Sequence, residues 1–334
     1  MQHNKTLIAA AILAGLGMGA TSASAAEAYG KLHLSFGQTK VDDPSVPTDA
    51  TSMQFKSHAS RFGVKDSKKL DNGMEVKGQV EFEIDAMGDT TKSSTDLLKA
   101  RNTFIGLKGG FGEARLGIHD TPYKIATSKL DVFGDTYADY NNIIQNDNRG
   151  SNVIAYLNQF GPVGVALAYS AGADDANAGE ENEADITSAM VNYKGGPLYL
   201  TVAVENFAAD NTAALNELET ATKFGAGYTI GPVDLGLVYE TLAYETADDI
   251  KETYASLKFK ASDAVYIKAA YGMRDDGVSA TDDEVMSAVG LDYKLDKSAT
   301  LYALYANGTD GGLSHKGKLD GDATAFVLGA VYKF

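Results

Sequence analysis

The chain has 334 residues with no Cys and no Trp, but 35 Gly, 18 Tyr and 13 Phe. Its 45 acidic residues against 29 basic ones leave a net charge of −16, which argues against binding nucleic acid. Without Cys there is neither a disulfide framework nor a thiolate metal site, and beyond the first segment no apolar run approaches the ~18 residues of a membrane-spanning helix.

Residues 1–25 read as a secretory signal peptide, cleaved after Ala25 give or take one residue. One cation, Lys5, precedes the apolar run Leu7-Ile8-Ala9-Ala10-Ala11-Ile12-Leu13-Ala14, and Ala23-Ser24-Ala25 supplies the small-residue cleavage site. An exported chain of slightly polar mean hydropathy is either soluble or a β-barrel, whose alternating strands average out to polar.

From residue 26 onward the recurring pattern is period-2 alternation, the mark of half-buried strands. The first run sets Gly30, Leu32, Leu34 and Phe36 against Lys31, His33 and Ser35. The second breaks its own parity. Met53 and Phe55 fix one face, Phe62 and Val64 the other, which predicts a bulge near Ala59-Ser60 that turns Arg61 and Lys65 to the interior. The third is the cleanest: Val76, Gly78, Val80, Phe82 and Ile84 share one face, and Glu75, Lys77, Gln79, Glu81, Glu83 and Asp85 share the other. About sixteen strands are predicted: 28–38, 52–66, 74–85, 97–108, 113–120, 152–160, 163–170, 185–194, 198–206, 221–230, 233–242, 253–260, 264–273, 284–295, 299–307 and 323–334. The last one carries Phe326, Leu328, Ala330, Tyr332 and Phe334 on one face and stops on an aromatic, as a lipid-facing strand closed against a neighbour can. Its partner is predicted to be the strand around Gly30–Phe36.

The connections alternate in length. Short turns such as Leu70-Asp-Asn-Gly73, Phe160-Gly-Pro162 and Gly231-Pro232 are interleaved with long polar segments such as 39–51, 86–96, 171–184 and 207–220. Residues 26–334 are therefore expected to form one all-β domain, a transmembrane antiparallel β-barrel with short periplasmic turns and long outer loops, wide enough for an aqueous channel. Acidic runs (Asp174-Asp175, Glu180-Glu181-Asn182-Glu183, Asp282-Asp283-Glu284) fall in the long segments and keep them solvated. A sharper reading is divalent-cation bridging to anionic headgroups of outer-membrane lipid.

One connection is out of scale. A loop of about 121–151 should be functional at that length. Its Ile125, Leu130, Phe133, Tyr137, Tyr140, Ile143 and Ile144 need apolar surface to pack on, which the barrel interior offers. The loop is therefore expected to fold into the lumen as a constriction and to place Asp131, Asp135, Asp139 and Asp147 there.

The chain resembles the general porins of Gram-negative bacteria over its whole mature length. The resemblance is carried by Tyr29-Gly30, Ser60-Arg61-Phe62-Gly63-Val64-Lys65, Arg101-Asn-Thr-Phe-Ile-Gly-Leu107, Gly110-Phe-Gly112, Arg115-Leu-Gly117, Asp120-Thr-Pro122, Phe133-Gly-Asp135, Asn146-Asp-Asn-Arg149 and the terminal Phe334. It implies a homotrimeric barrel whose third loop folds inward as an eyelet, with small hydrophilic solutes and ions as its cargo and lipopolysaccharide around it. It also implies that the assembly machinery of the outer membrane reads the strand ending in Tyr332 and Phe334. Wall arginines face acidic loop residues in such proteins. Arg61, Arg101 and Arg149 match those positions, and Arg115 and Lys77 share the inward face with them. Where the family often carries a basic residue, this chain has Ile118.

Two other readings compete. An enzyme would need partners for the His119-Asp120 pair, and no Ser or second carboxylate can be placed beside it from sequence; no cofactor, metal or catalytic residue is expected. A substrate-specific channel with a saturable site for a sugar or small organic acid would need an aromatic slide, to which Tyr123, Tyr137 and Tyr140 could contribute.

Overall fold

In the computed structural model the described residues are 26–42, 50–87, 98–172, 185–208, 218–278, 283–315, 319 and 321–334. The signal peptide and the acidic run 174–183 lie outside them. The described chain closes into a barrel of sixteen antiparallel strands. In chain order these are β1 (Glu27–Asp42), β2 (Ala50–Ser57 and Arg61–Lys69), β3 (Glu75–Ile84), β4 (Leu98–Ala100 and Thr103–Gly109), β5 (Gly112–Asp120), β6 (Arg149–Phe160), β7 (Val163–Ser170) and β8 (Ile186–Gly195). Then follow β9 (Leu198–Phe207), β10 (Leu218–Ile230), β11 (Val233–Tyr244), β12 (Ile250–Lys260), β13 (Val265–Asp275), β14 (Glu284–Lys294), β15 (Ala299–Thr309) and β16 (Asp322–Lys333).

Each predicted strand has its counterpart, paired with its neighbour in sequence. Several run further at the long-loop end than the alternation suggests: β1 reaches Asp42, β10 begins at Leu218 and β12 at Ile250. There the outward residues leave the lipid and turn polar, so the pattern fades while the backbone ladder continues. The outward rows carry the chain's exposed apolar side chains, among them Ile105, Ile154, Val202 and Val289, each more than half exposed. Tight turns join the other ends, where Gly161 and Gly231 take the left-handed backbone (φ 57°) that such turns require. No helix of the described residues is long and apolar enough to cross a membrane.

The barrel closes where β16 meets β1, in unbroken register from Lys31 opposite Lys333 to Asp42 opposite Asp322. The ladder extends one residue further, because Gly30 and Phe334 exchange both backbone hydrogen bonds (2.8 and 3.1 Å). The Phe334 ring lies in the space a side chain at position 30 would need, and it stacks at 5.8 Å on Tyr332. The terminal aromatic thus fills the gap left by the glycine at the seam.

Residues 121–148 leave the wall and enter the lumen. Thr121 caps a one-turn helix, α1 (Pro122–Thr127), by accepting the amide of Lys124 at 3.3 Å, and Pro122 occupies a first-turn position where no amide is needed. Two 3-10 turns follow, Ser128–Leu130 and Tyr140–Asn142.

Candidate functional site: the constriction of the lumen

The loop is seated on one side of the barrel. Leu130, Phe133, Tyr137, Tyr140, Ile143 and Ile144 are buried against inward residues of β9 and β11–β16, including Tyr199, Val238, Tyr254, Met286 and Tyr302. Tyr123 and Ala126 of α1 pack against Ala166, Met190, Ala203, Ala221 and Leu242. Each large side chain buried this way contributes roughly 1.5–3 kcal/mol. The wall makes room with small residues: Phe133 lies over Gly290, Ile143 over Gly272, and Leu130 over Gly225 and Gly227.

Polar contacts fasten both ends of the loop. Tyr123 donates to the Glu240 carboxylate at 2.7 Å, Asn146 and Asn148 donate to Glu205 at 3.0 and 2.8 Å, and the Gln145 amide donates to Glu252 at 3.0 Å. Lys223, fully buried, reaches the Asn146 carbonyl at 3.2 Å and Glu240 at 3.6 Å. Nothing in the alternation singled out these buried glutamates, which look like ordinary lumen-facing residues of their strands.

The opposite wall, β2 to β6, is irregular at the same level. His58, Ala59 (φ 47°) and Ser60 interrupt β2, so that Ser57 faces Leu34 while Arg61 faces Lys31. Four residues on β2 thus span three on β1, which is the predicted bulge, and Arg61 points inward after it. A second bulge at Arg101-Asn102 interrupts β4, between Ala100 opposite Phe82 and Phe104 opposite Gln79. A third irregularity falls between Gly117 and His119 of β5, facing Asn152 of β6 at φ 52°. Bulges re-aim side chains, and these three lie beside Arg61, Arg101 and Ile118.

At the loop tip, Asp135 takes a left-handed backbone (φ 58°). Its carboxylate forms an ion pair with Lys31 of β1, and Arg61 approaches it to 3.9 Å. Burial pulls the Asp135 carboxyl upward, but Lys31 and Arg61 outweigh it and hold it below the usual carboxylate range, so it is ionised at neutral pH. Lys31 was visible in the sequence only as one polar member of an alternating run; its role depends on tertiary placement.

The other predicted residues have different neighbours. Arg101 donates to Glu81 at 2.8 Å and Glu83 at 2.7 Å, both on β3, and Arg61 is 4.0 Å from Glu81. These wall arginines are therefore balanced largely by wall glutamates on the next strand, which register places on the same face. Arg149 pairs with Asp120 at 2.9 Å. Arg115 and Lys77 both bind Glu113, at 2.6 and 3.0 Å, away from the loop. Among the loop aspartates, Asp131 accepts the Phe133 amide at 2.8 Å and the Tyr254 hydroxyl at 3.2 Å. Burial, and then the charge of Asp139, push its carboxyl well above the usual range. Asp139 accepts the amides of Asp135 and Asn141 at 2.6 and 2.9 Å, and Asp147 pairs with Lys124 at 2.9 Å. Asp131 and Asp139 shape the loop through these amides, and Asp135 meets Lys31 and Arg61 of the wall.

Two cavities meet at the tip. The outer one, about 1350 Å³, is lined by Lys56, Arg61, Glu83, Arg101, Ile118 and Arg149 of β2–β6 together with loop residues. The inner one, about 850 Å³, is lined by residues of β1 and β13–β16 and their turns. Gly134 and Thr136 border both.

The family model described as Gram-negative porin matches residues 8–313. The chain belongs to this porin family. It is 25% identical over 272 residues, 73% of this chain and 70% of the relative, to an outer membrane porin protein of Bordetella pertussis. In fold it is similar to an anion-selective porin from Comamonas acidovorans (TM-score 0.75, 18% identity, 92% of this chain and 99% of that one). It is also similar to the trimer form of in-vitro folded OmpT, an outer membrane protein of Vibrio cholerae (TM-score 0.66, 20% identity, 92% and 99%). As a Gram-negative porin, the protein is an outer-membrane channel for passive diffusion.

Two sequence candidates find other uses in the porin. His119 is buried, and its ring nitrogens are engaged by the Asp120 carbonyl and the Arg115 guanidinium, both at 2.6 Å. Tyr123, Tyr137 and Tyr140 are almost fully buried in the seat of the loop, so they offer no aromatic slide to a passing solute.

Proposed function

We propose that the constriction works as a charged eyelet, with Lys31 and Arg61 of the wall facing Asp135 of the loop. The shared Asp135 carboxylate is the observation that supports this reading: one anion from the loop stands against two cations from adjacent strands. Opposed charges set a field across the passage. A small hydrated solute aligns its dipole and passes, whereas a larger or apolar one must shed water and is held back. Transport is diffusion through water.

The functional unit in this proposal is a homotrimer, as in the trimer form of OmpT. The signal peptide is removed near Ala25, lipid and lipopolysaccharide surround the outward apolar rows, and the assembly machinery reads the strand ending in Tyr332 and Phe334.

Single-channel conductance in planar bilayers tests the proposal. Large ohmic steps arriving in threes are expected. Conductance blocked by one sugar or small organic acid favours the substrate-specific alternative, and no conductance from well-folded protein sinks both.

A further inference from the structure

The inner cavity has a lining that the eyelet does not use. Five of its eighteen lining residues are lysines, in a chain where acidic residues outnumber basic ones by 45 to 29. Two of its three aspartates are paired with lysines, Asp292 with Lys268 at 2.8 Å and Asp263 with Lys260 at 2.7 Å, while Asp296 accepts the amides of Ser298 and Ala299 at 2.7 and 2.8 Å and keeps its charge, one anion against the three lysines that follow. Lys31 is engaged with Asp135. Lys294, Lys297 and Lys333 are exposed to the vestibule, and none has an ion pair among the described residues.

Register makes the arrangement costly to the wall. Lys333 stands directly opposite Lys31, and Lys31 directly opposite Arg61, so three cations lie in one row across three strands. Like charges placed opposite one another destabilise a sheet unless an anion sits between them; Asp135 does so for Lys31 and Arg61, which leaves Lys333 as the member of the row with no ion pair among the described residues. The buried His33 borders the same cavity, and its Nδ1 has no hydrogen-bond partner among the described residues. Beside it, Lys294 lies 4.1 Å from the centroid of the Tyr266 ring, which narrows the space its ammonium can sweep.

We propose that this inner vestibule is a binding site for compact polyphosphate anions, entered from the periplasmic side, with Lys294, Lys297 and Lys333 supplying the charge. The three ammonium groups come from β14, the β14–β15 turn and the end of β16, so a ligand must carry several charges to satisfy them together. Lysine binds phosphate as a point charge without demanding a planar fork, which suits a chain of phosphates better than a single carboxylate.

The test uses the intact channel in a planar bilayer, inserted from one chamber so that its orientation is uniform, with inorganic tripolyphosphate as the probe. Block from the periplasmic side is expected at a concentration at least tenfold below that needed from the outer side. The triple variant K294Q/K297Q/K333Q should lose at least tenfold in periplasmic-side blocker sensitivity, read as the fraction of its own open-channel current that the blocker removes. Equal block from both sides, or unchanged block in the variant, overturns the site. Equally strong block by citrate overturns the phosphate assignment. The experiment rests on the channel reading. Should the protein fold yet not conduct, that reading fails, and calorimetry of tripolyphosphate binding to the detergent-solubilised wild type and triple variant decides the site on its own.

Discussion

Asp135 and Lys31 form an ion pair inside the lumen, one carried by a loop tip and the other by the first strand of the barrel. Arg61, directly opposite Lys31 on β2, stands 3.9 Å from the same carboxylate. Two wall cations therefore share one loop anion. Replacing Asp135 by Asn should shift selectivity toward anions, and Arg61→Ala should shift it toward cations. A unit charge ~4 Å from a permeating ion in water is worth about 1 kcal/mol, which corresponds to a change of about fivefold in permeability ratio. Reversal potentials under a salt gradient measure both shifts; variants that leave the potential where it was would remove these residues from the eyelet.

The seat of the loop should be as consequential as its charge. Phe133 is almost fully buried over Gly290. Phe133→Ala is expected to weaken docking by about 3–5 kcal/mol, the usual cost of emptying an aromatic site. The barrel should still assemble, while single-channel traces become noisier as the loop leaves its seat. A quiet trace of wild-type amplitude would show that the loop holds without this anchor.

Buried Lys223 offers a stability test. It sits among Glu240, Tyr123 and the Asn146 carbonyl with no exposure to water. Lys223→Ala strands the Glu240 carboxylate and should cost about 3–5 kcal/mol. The double variant K223M/E240Q removes both charges and should recover most of that loss. The temperature at which the barrel loses its heat-modifiable migration on gels reports both effects.

Closure at the seam can be tested with two outward glycines. A side chain at Gly30 collides with the Phe334 ring, whereas one at Gly78 meets open space. Gly30→Val should lower the yield of folded barrel in a refolding assay, and Gly78→Val should leave it near wild type. Equal yields would show that Phe334 does not need its glycine.

The contrast between the bulges shows how far the sequence could be read. On β2 the outward residues Met53 and Phe55 change parity with Phe62 and Val64, and the irregularity was legible. On β4 the same change occurs between Leu98, which is exposed, and Ile105 and Leu107. Phe104 conceals it, because that aromatic faces the lumen, with the Arg115 guanidinium 4.4 Å from its ring centroid. Apolar side chains mark the lipid face only while the inner row is polar, and Phe104 breaks that condition. The loop was legible from its length and its aromatics. The division of labour among its aspartates was not, although Asp131 and Asp139 each accept the amide two residues ahead, a local turn habit of Asp. Lys31 and the buried glutamates could not be singled out, since only barrel closure and strand tilt bring them to the loop.

The two cavities occupy different sectors of the wall, the outer one against β2–β6 and the inner one against β13–β16 and β1, and they touch at Gly134 and Thr136. A solute that passes from one cavity to the other is expected to turn around the loop tip. Rod-shaped molecules that fit the aperture end-on would still have to take that bend, so stiff solutes are expected to permeate more slowly than flexible ones of equal girth and charge.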